Sequence, residues 1–192
     1  MSNYRAPSDV LLFWFGEGPE YGKRHKRWFE KDAAFDAEIR ERFLPLCDEL
    51  VGGARRDWLE RPADCLARIV ALDQFPRNMF RGSARAFEGD ALALEAARYA
   101  LARVDDRAML PVERMFAYLP FEHSESLEDQ RLACELTLPL AAFAETADTH
   151  RYALAHRDII RRFGRFPHRN AALGRASTPE ETEFLNQPGS GF

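Results

Sequence analysis

The chain has 192 residues, 46% of them hydrophobic and 30% charged, with a formal net charge of −4. That length suits one domain burying roughly 70% of the surface its unfolded chain exposes, with no need of a disulfide or metal staple. The acidic balance argues against a general nucleic-acid binder, and Cys47, Cys65 and Cys134, far apart and without CxxC spacing, argue against a disulfide framework or zinc ribbon.

From the N-terminus, Pro7-Ser8-Asp9 reads as a helix start and Gly16 as its stop. Between them Val10 to Phe15 is apolar throughout, which reads as a short buried helix, with a strand as the alternative. It is too short for a signal peptide or a membrane span. A cytoplasmic protein with no membrane association and free buried thiols is therefore expected. Residues 1–22 form an N-terminal arm that ends in a loop around Pro19. Trp28 to Leu46 reads as an amphipathic helix with Phe35, Ile39, Phe43 and Leu46 on one stripe and Pro45 kinking its end. Asp57-Trp58-Leu59-Glu60 has the spacing of a capping box.

A helix then opens at Arg61-Pro62, with Leu66, Ile69, Val70 and Asp73 at i, i+3, i+4 and i+7. Asp73 thus falls on an apolar stripe, where an unpaired charge would cost several kcal/mol. Phe75-Pro76 is expected to stop this helix, because proline disfavours α geometry in the residue before it. Asp90 reads as the N-cap of a helix to about Arg103, with Leu92, Ala96, Tyr99 and Ala100 facing inwards. Pro111 opens a helix that Pro120 should end. Ser126 caps a long helix from Leu127 to about Ala147, interrupted at Pro139. The next, 149–163, carries Tyr152, His156, Ile159, Ile160 and Phe163 on one stripe and ends at Gly164. Thr178-Pro179-Glu180-Glu181 is a capping box for a last short helix, and 186–192 is a tail. Few stretches alternate with period two, so the chain reads as a single all-α domain of about eight helices. A helical-hairpin repeat of about 34 residues has no recurring signature here.

Polar residues concentrate in three places. Leu72-Asp73-Gln74-Phe75-Pro76-Arg77-Asn78 is echoed by Arg165-Phe166-Pro167-His168-Arg169-Asn170, and Phe121-Glu122-His123-Ser124-Glu125 lies between. These are expected to meet in one cleft gathering Asp73, Arg77, Asn78, Glu122, His123, His156, Arg169 and Asn170. Each residue has two readings. Asp73 is a structural ion-pair partner of Arg77 or Arg169, or an acid facing a ligand. His123 is a loop histidine bound to backbone, or a base oriented by a carboxylate. His156 is a satisfied core histidine, or with His168 and an acid a metal ligand, although its spacing matches no zinc pattern. Arginines 157, 161, 162, 165, 169 and 175 form a solvated face or a pocket for carboxylate or phosphate. Arginine outnumbers lysine 24 to 3, which reflects either codon bias or guanidinium recognition. No GxSxG elbow, P-loop or Rossmann fingerprint is present. Ser124 is next to His123 in sequence, which is not triad geometry.

With Val10-Leu11-Leu12-Phe13-Trp14-Phe15-Gly16, Leu119-Pro120-Phe121-Glu122-His123-Ser124-Glu125, His156-Arg157-Asp158-Ile159-Ile160, the two Phe-Pro segments and the ending Pro188-Gly189-Ser190-Gly191-Phe192, nearly the whole chain resembles one bacterial family, known as domain of unknown function 924. The resemblance implies an all-helical, tetratricopeptide-like fold in a bacterial cytosolic protein and makes docking of Phe192 worth considering. It implies no established activity and supplies no catalytic residues, and no cofactor is expected. The leading expectation is a binding module for a small anionic ligand or acidic peptide, with no metal, no nucleic acid and the oligomeric state open. The rival is a hydrolase using His123 or His156 as base with Asp73 or Glu122 as orienter. A third reading makes the polar groups a buried network that only fixes the helical array.

Overall fold

The computed structural model describes residues 6–190. Eight α-helices are joined by short 3-10 turns, and no strand occurs among the described residues. They are α1 (Pro7–Phe15), α2 (Ala33–Val51), α3 (Pro62–Met79), α4 (Asp90–Ala102), α5 (Pro111–Glu122), α6 (Leu127–Thr137), α7 (Thr149–Phe163) and α8 (Pro179–Leu185). The all-α reading therefore holds.

Helix α3 is the hub. It packs against α1, α2, α4 and α5, while α5, α6 and α7 pack in sequential order. From Cys65 to Pro76 every residue of α3 is buried, including Arg68 and Gln74. Its burial is all-round, not the single stripe expected, because helices cover every side of it. Arg68 tolerates this by donating to the carbonyls of Ala54 and Arg55. On one side of α3 lies an aromatic cluster in which Phe75 meets Phe43 at 4.7 Å and Trp28 meets Phe116 at 4.8 Å between ring centroids. Trp28 belongs to a 3-10 turn rather than to α2, and its indole N–H donates to the Trp14 carbonyl. Helix α2 starts instead behind Asp32, whose carboxylate accepts from the N–H groups of Ala34 and Phe35.

Three prolines expected to end or kink helices sit inside them: Pro45 in α2, Pro76 in α3 and Pro120 in α5. An interior proline costs about 3 kcal/mol. Continuing α3 through Pro76 buries Phe75 and Met79 and keeps Arg77 one turn after Asp73, which offsets that cost. Pro76 has no N–H for the carbonyl of Leu72, and that carbonyl abuts Gly89 instead. A Cβ at Gly89 would lie 2.2 Å from the Leu72 oxygen. Gly89 is also the N-cap of α4, so Asp90 is its first helical residue and not its cap.

Four more expectations are corrected. Residues 56–59 form a 3-10 turn behind Arg55 in the left-handed region, with no cap bond at Asp57. Helix α6 ends at Thr137, before Pro139, and continues only as 3-10 turns. The side chain of Ser126 caps nothing. Tyr99 and Tyr152 are 41% and 40% exposed rather than inward-facing. The capping box at α8 is present, Thr178 and Glu181 each accepting the other's backbone N–H. All three cysteines are buried thiols. Phe192 lies outside the described residues.

Candidate functional site

The site is built from the middle of α3, the end of α5, the start of α4 and the turn Pro167–Arg169. Asp73 is 1% exposed. Its Oδ1 lies 2.7 Å from Nδ1 of His123 and 3.2 Å from Nη1 of Arg77, and its Oδ2 accepts from Nε2 of Gln74 at 2.5 Å. Burial pushes this carboxyl up, but the Arg77 charge and the hydrogen bonds from His123 and Gln74 prevail and hold it well below the usual carboxylate range. Burial and the Arg77 charge push His123 down, against the pull of Asp73. The pair is therefore an ionised Asp73 and a neutral His123 whose proton sits on Nδ1, facing the carboxylate. Nε2 is left as an acceptor, and no protein group among the described residues bonds to it.

His123 lines an open cleft of about 240 Å³ with Asp90, Ala91, Leu94, Pro120, Ser124, Glu125, Arg169 and Leu173. Asp90 holds two arginines. Arg77 binds both of its oxygens, at 2.8 and 3.1 Å, and Arg169 donates to Oδ2 at 3.1 Å. Arg169 is 6% exposed, with its guanidinium stacked on Phe87 and on Phe166 at 4.7 and 4.6 Å. Burial and the nearby Arg77 charge push it down to about 10. Glu125 is engaged by Arg175 and by the backbone N–H of Phe166. Ser124 donates to Asp129 and accepts from the N–H of Ser126. Its hydroxyl is thus not bonded to His123, and no serine–histidine nucleophile exists here.

Behind His123 lie Glu122 and His156, both buried. Oε2 of Glu122 is 3.5 Å from Nδ1 of His156, which resembles an ion pair. The chemistry says otherwise. Burial, together with the Asp73 charge, pushes Glu122 up to about 8, and burial, with the His123 and His168 rings close by, pushes His156 down to about 3. Both are neutral at pH 7, and the Nδ1 proton of His156 goes to the Tyr152 carbonyl at 2.9 Å. Among the described residues neither carboxyl oxygen of Glu122 has a hydrogen-bond partner.

Six of the eight residues expected in one cleft come together: Asp73, Arg77, Glu122, His123, His156 and Arg169. Only His123 and Arg169 among them line the opening. Asn78 and Asn170 turn away, for one shared reason. Asn78 donates to Asp36, which Arg81 also grips, and Asn170 donates to Glu181, which Arg165 also grips. In each Phe-Pro segment the arginine goes to Asp90 and the asparagine to a carboxylate on a neighbouring helix. Asp73 pairs with Arg77 and not with Arg169. The other arginines of 157–175 are paired as well: Arg157 and Arg161 with Asp158, Arg162 with Glu180, Arg175 with Glu125. They form no open anion pocket of their own. His156 and His168 both pack on the Phe166 ring, at 5.6 and 5.4 Å, and no group of three His, Cys, Asp or Glu side chains that could hold a metal occurs among the described residues.

Sequence reasoning missed Asp90 as the centre of the site. Its partners are 13 and 79 residues away, and no local pattern signals that. It also missed the apolar wall of Ala91, Leu94 and Leu173, which looks like ordinary helix surface in the sequence.

The sequence profile of a family described as "Bacterial protein of unknown function (DUF924)" matches residues 10–189. A solved structure of a protein of unknown function, ATU0120 from Agrobacterium tumefaciens, is 41% identical. It covers 94% of this chain and 96% of its own, with a TM-score of 0.83. No curated protein matches the chain.

Proposed function

The chain belongs to the DUF924 family, a bacterial family of unknown function, and from that premise we propose that its cleft is a small-molecule site in which His123 acts as a general base oriented by Asp73. The observation that carries this reading is the 2.7 Å contact between His123 Nδ1 and Asp73, made by a ring whose other nitrogen has no partner among the described residues and which lines an open cleft. A base of this kind needs a fixed tautomer, a lone pair facing the reacting proton, and a nearby charge to stabilise the imidazolium that forms. Asp73 supplies the first and third. Hydrolysis is the simplest chemistry it serves. Nε2 takes the proton of a water attacking an acyl carbon, and that proton then goes to the departing group. The binding-module expectation is retained as the first half of this reading. The tetratricopeptide-like description is supported by the sequential packing of α5, α6 and α7, and a cytoplasmic setting by the buried free thiols.

The test combines 15N NMR of the histidines with a thermal-shift screen of short carboxylic acids, esters and phosphorylated metabolites. It uses the wild type, His123→Gln and Asp73→Asn. His123 is expected to be neutral at pH 7 with its proton on Nδ1, and to lose that fixed tautomer in Asp73→Asn. A ligand at about 100 times its Kd should add near 2.7 kcal/mol, a shift of several degrees, absent in His123→Gln. A charged His123 at pH 7, or a proton on Nε2, overturns the base. A screen without hits, in which both variants simply melt early, returns the cluster to a structural network.

A further inference from the structure

Three features of the cleft bear on what it holds, and they deepen the reading above, on which this inference rests. First, Arg169 is buried but poorly satisfied. Nη1 reaches Asp90, Nε has no partner, and Nη2 has none among the described residues. A buried guanidinium normally fills its donors, and the stacking on Phe87 and Phe166 holds this one rigid at the cleft wall. Second, that wall is the start of α4, where Asp90 and Ala91 of the first turn and Leu94 one turn later line the opening. Gly89 at the cap has no side chain, so no side-chain acceptor caps the first N–H groups of this 13-residue helix. Uncapped helix starts attract anions. Third, Ala91, Leu94, Pro120 and Leu173 add an apolar surface to the lining, which His123, Ser124 and Glu125 complete.

We infer that the cleft takes a short-chain carboxylic acid, with its carboxylate on Arg169 Nη2 at the start of α4, its hydrocarbon body on Leu94, Pro120 and Leu173, and its reacting group at His123. A single charge fits better than a double one. Around the opening Arg77, Arg169 and Arg175 are already matched by Asp73, Asp90 and Glu125, so only the helix end and the unfilled donors of Arg169 favour an anion. A phosphate dianion would face Asp90 and Glu125 with no surplus cation. The planar carboxylate also matches the guanidinium edge.

The probes are butanoate, its neutral amide butanamide, and inorganic phosphate, each titrated into 15N-labelled protein while the His123 ring signals are followed. Butanoate is expected to shift His123 in the wild type and to bind at least tenfold more tightly than the other two. Arg169→Gln should weaken butanoate tenfold or more. Leu173→Trp should do the same by filling the mouth of the cleft. Leu173 is 38% exposed, so that variant is expected to keep the wild-type Tm and to answer for any misfolding of Arg169→Gln. Butanamide or phosphate binding as tightly as butanoate overturns the carboxylate class while leaving the site in place. Butanoate affinity unchanged in Arg169→Gln overturns the role of Arg169. If none of the three probes moves His123, the carboxylic-acid inference fails. The base reading is then judged separately, by the tautomer of His123 in the free protein.

Discussion

Glu122 shows how a charge read from the sequence can be absent from the molecule. Its carboxyl is buried, lacks a hydrogen-bond partner among the described residues and is pushed up to about 8, chiefly by burial. The unfolded chain ionises it near the ordinary glutamate value of about 4.3. Stability from this group is thus fully present below that value and is lost as pH rises through 8. His156, pushed down to about 3, does the reverse: its contribution is present above the ordinary histidine range and is lost as pH falls towards 3. Glu122→Gln removes the first slope only. It should raise Tm over the wild type by several degrees more at pH 8 than at pH 5, an effect on the order of a few kcal/mol at ~1.4 kcal/mol per pH unit. An equal difference at the two pH values would show that Glu122 is ionised and paired. The same principle separates the two histidines. His123 and His156 both sit beside an acid, but the acid beside His123 is held ionised and that ring lines the open cleft.

At the scale of the elements, the prolines and one glycine govern where the site residues stand. Had α3 stopped at Phe75, Arg77 would not lie one turn beyond Asp73, and Asp90 would lose its bidentate partner. The proline rule failed because it weighs local backbone preference, whereas a helix covered on all sides has more to gain by continuing. Gly89 is the counterpart of Pro76. Its φ of −86° suits any residue, so its requirement is for space against the Leu72 carbonyl. Gly89→Ala should cost about 1–3 kcal/mol as overpacking against rigid backbone and should disturb the Asp90 pairs, which chemical denaturation and the His123 NMR signals would show. A midpoint unchanged from the wild type would mean that α4 can move away from α3 freely.

Across the whole molecule, arginine–carboxylate ties between distant segments hold the far end of the chain. Glu181 on α8 accepts from Arg165, Asn170 and the N–H of Thr178. The Arg165 bond is the main cause that holds it down to about 2. Its contribution is therefore present above the ordinary glutamate range and is lost as pH falls through 2. Glu181→Gln should reproduce that loss at pH 7. Amide exchange should speed up across 165–185 while the tautomer of His123 stays as in the wild type. Unchanged protection there would show that α8 is held by the Phe163–Phe184 ring contact rather than by the tie. The excess of arginine over lysine acquires a physical role at this scale, since planar guanidinium groups grip Asp36, Asp90, Glu125 and Glu181 with two bonds from one side chain.

By itself the sequence determined the all-α class, the positions of α1, α7 and α8, the burial of Asp73 and His156, and the three segments that come together around His123. Each of these rests on local information: helical periodicity, a capping box, a proline at a helix start, a polar residue on an apolar stripe. The tertiary structure alone decided which acid each arginine meets, that Asn78 and Asn170 tie helices together instead of facing the cleft, that three prolines lie within helices, and that Asp90 is central. Those outcomes depend on contacts between residues tens of positions apart and on desolvation. A side chain's charge and partner are properties of the packed interior, where burial can neutralise Glu122 and an adjacent guanidinium can keep Asp73 ionised.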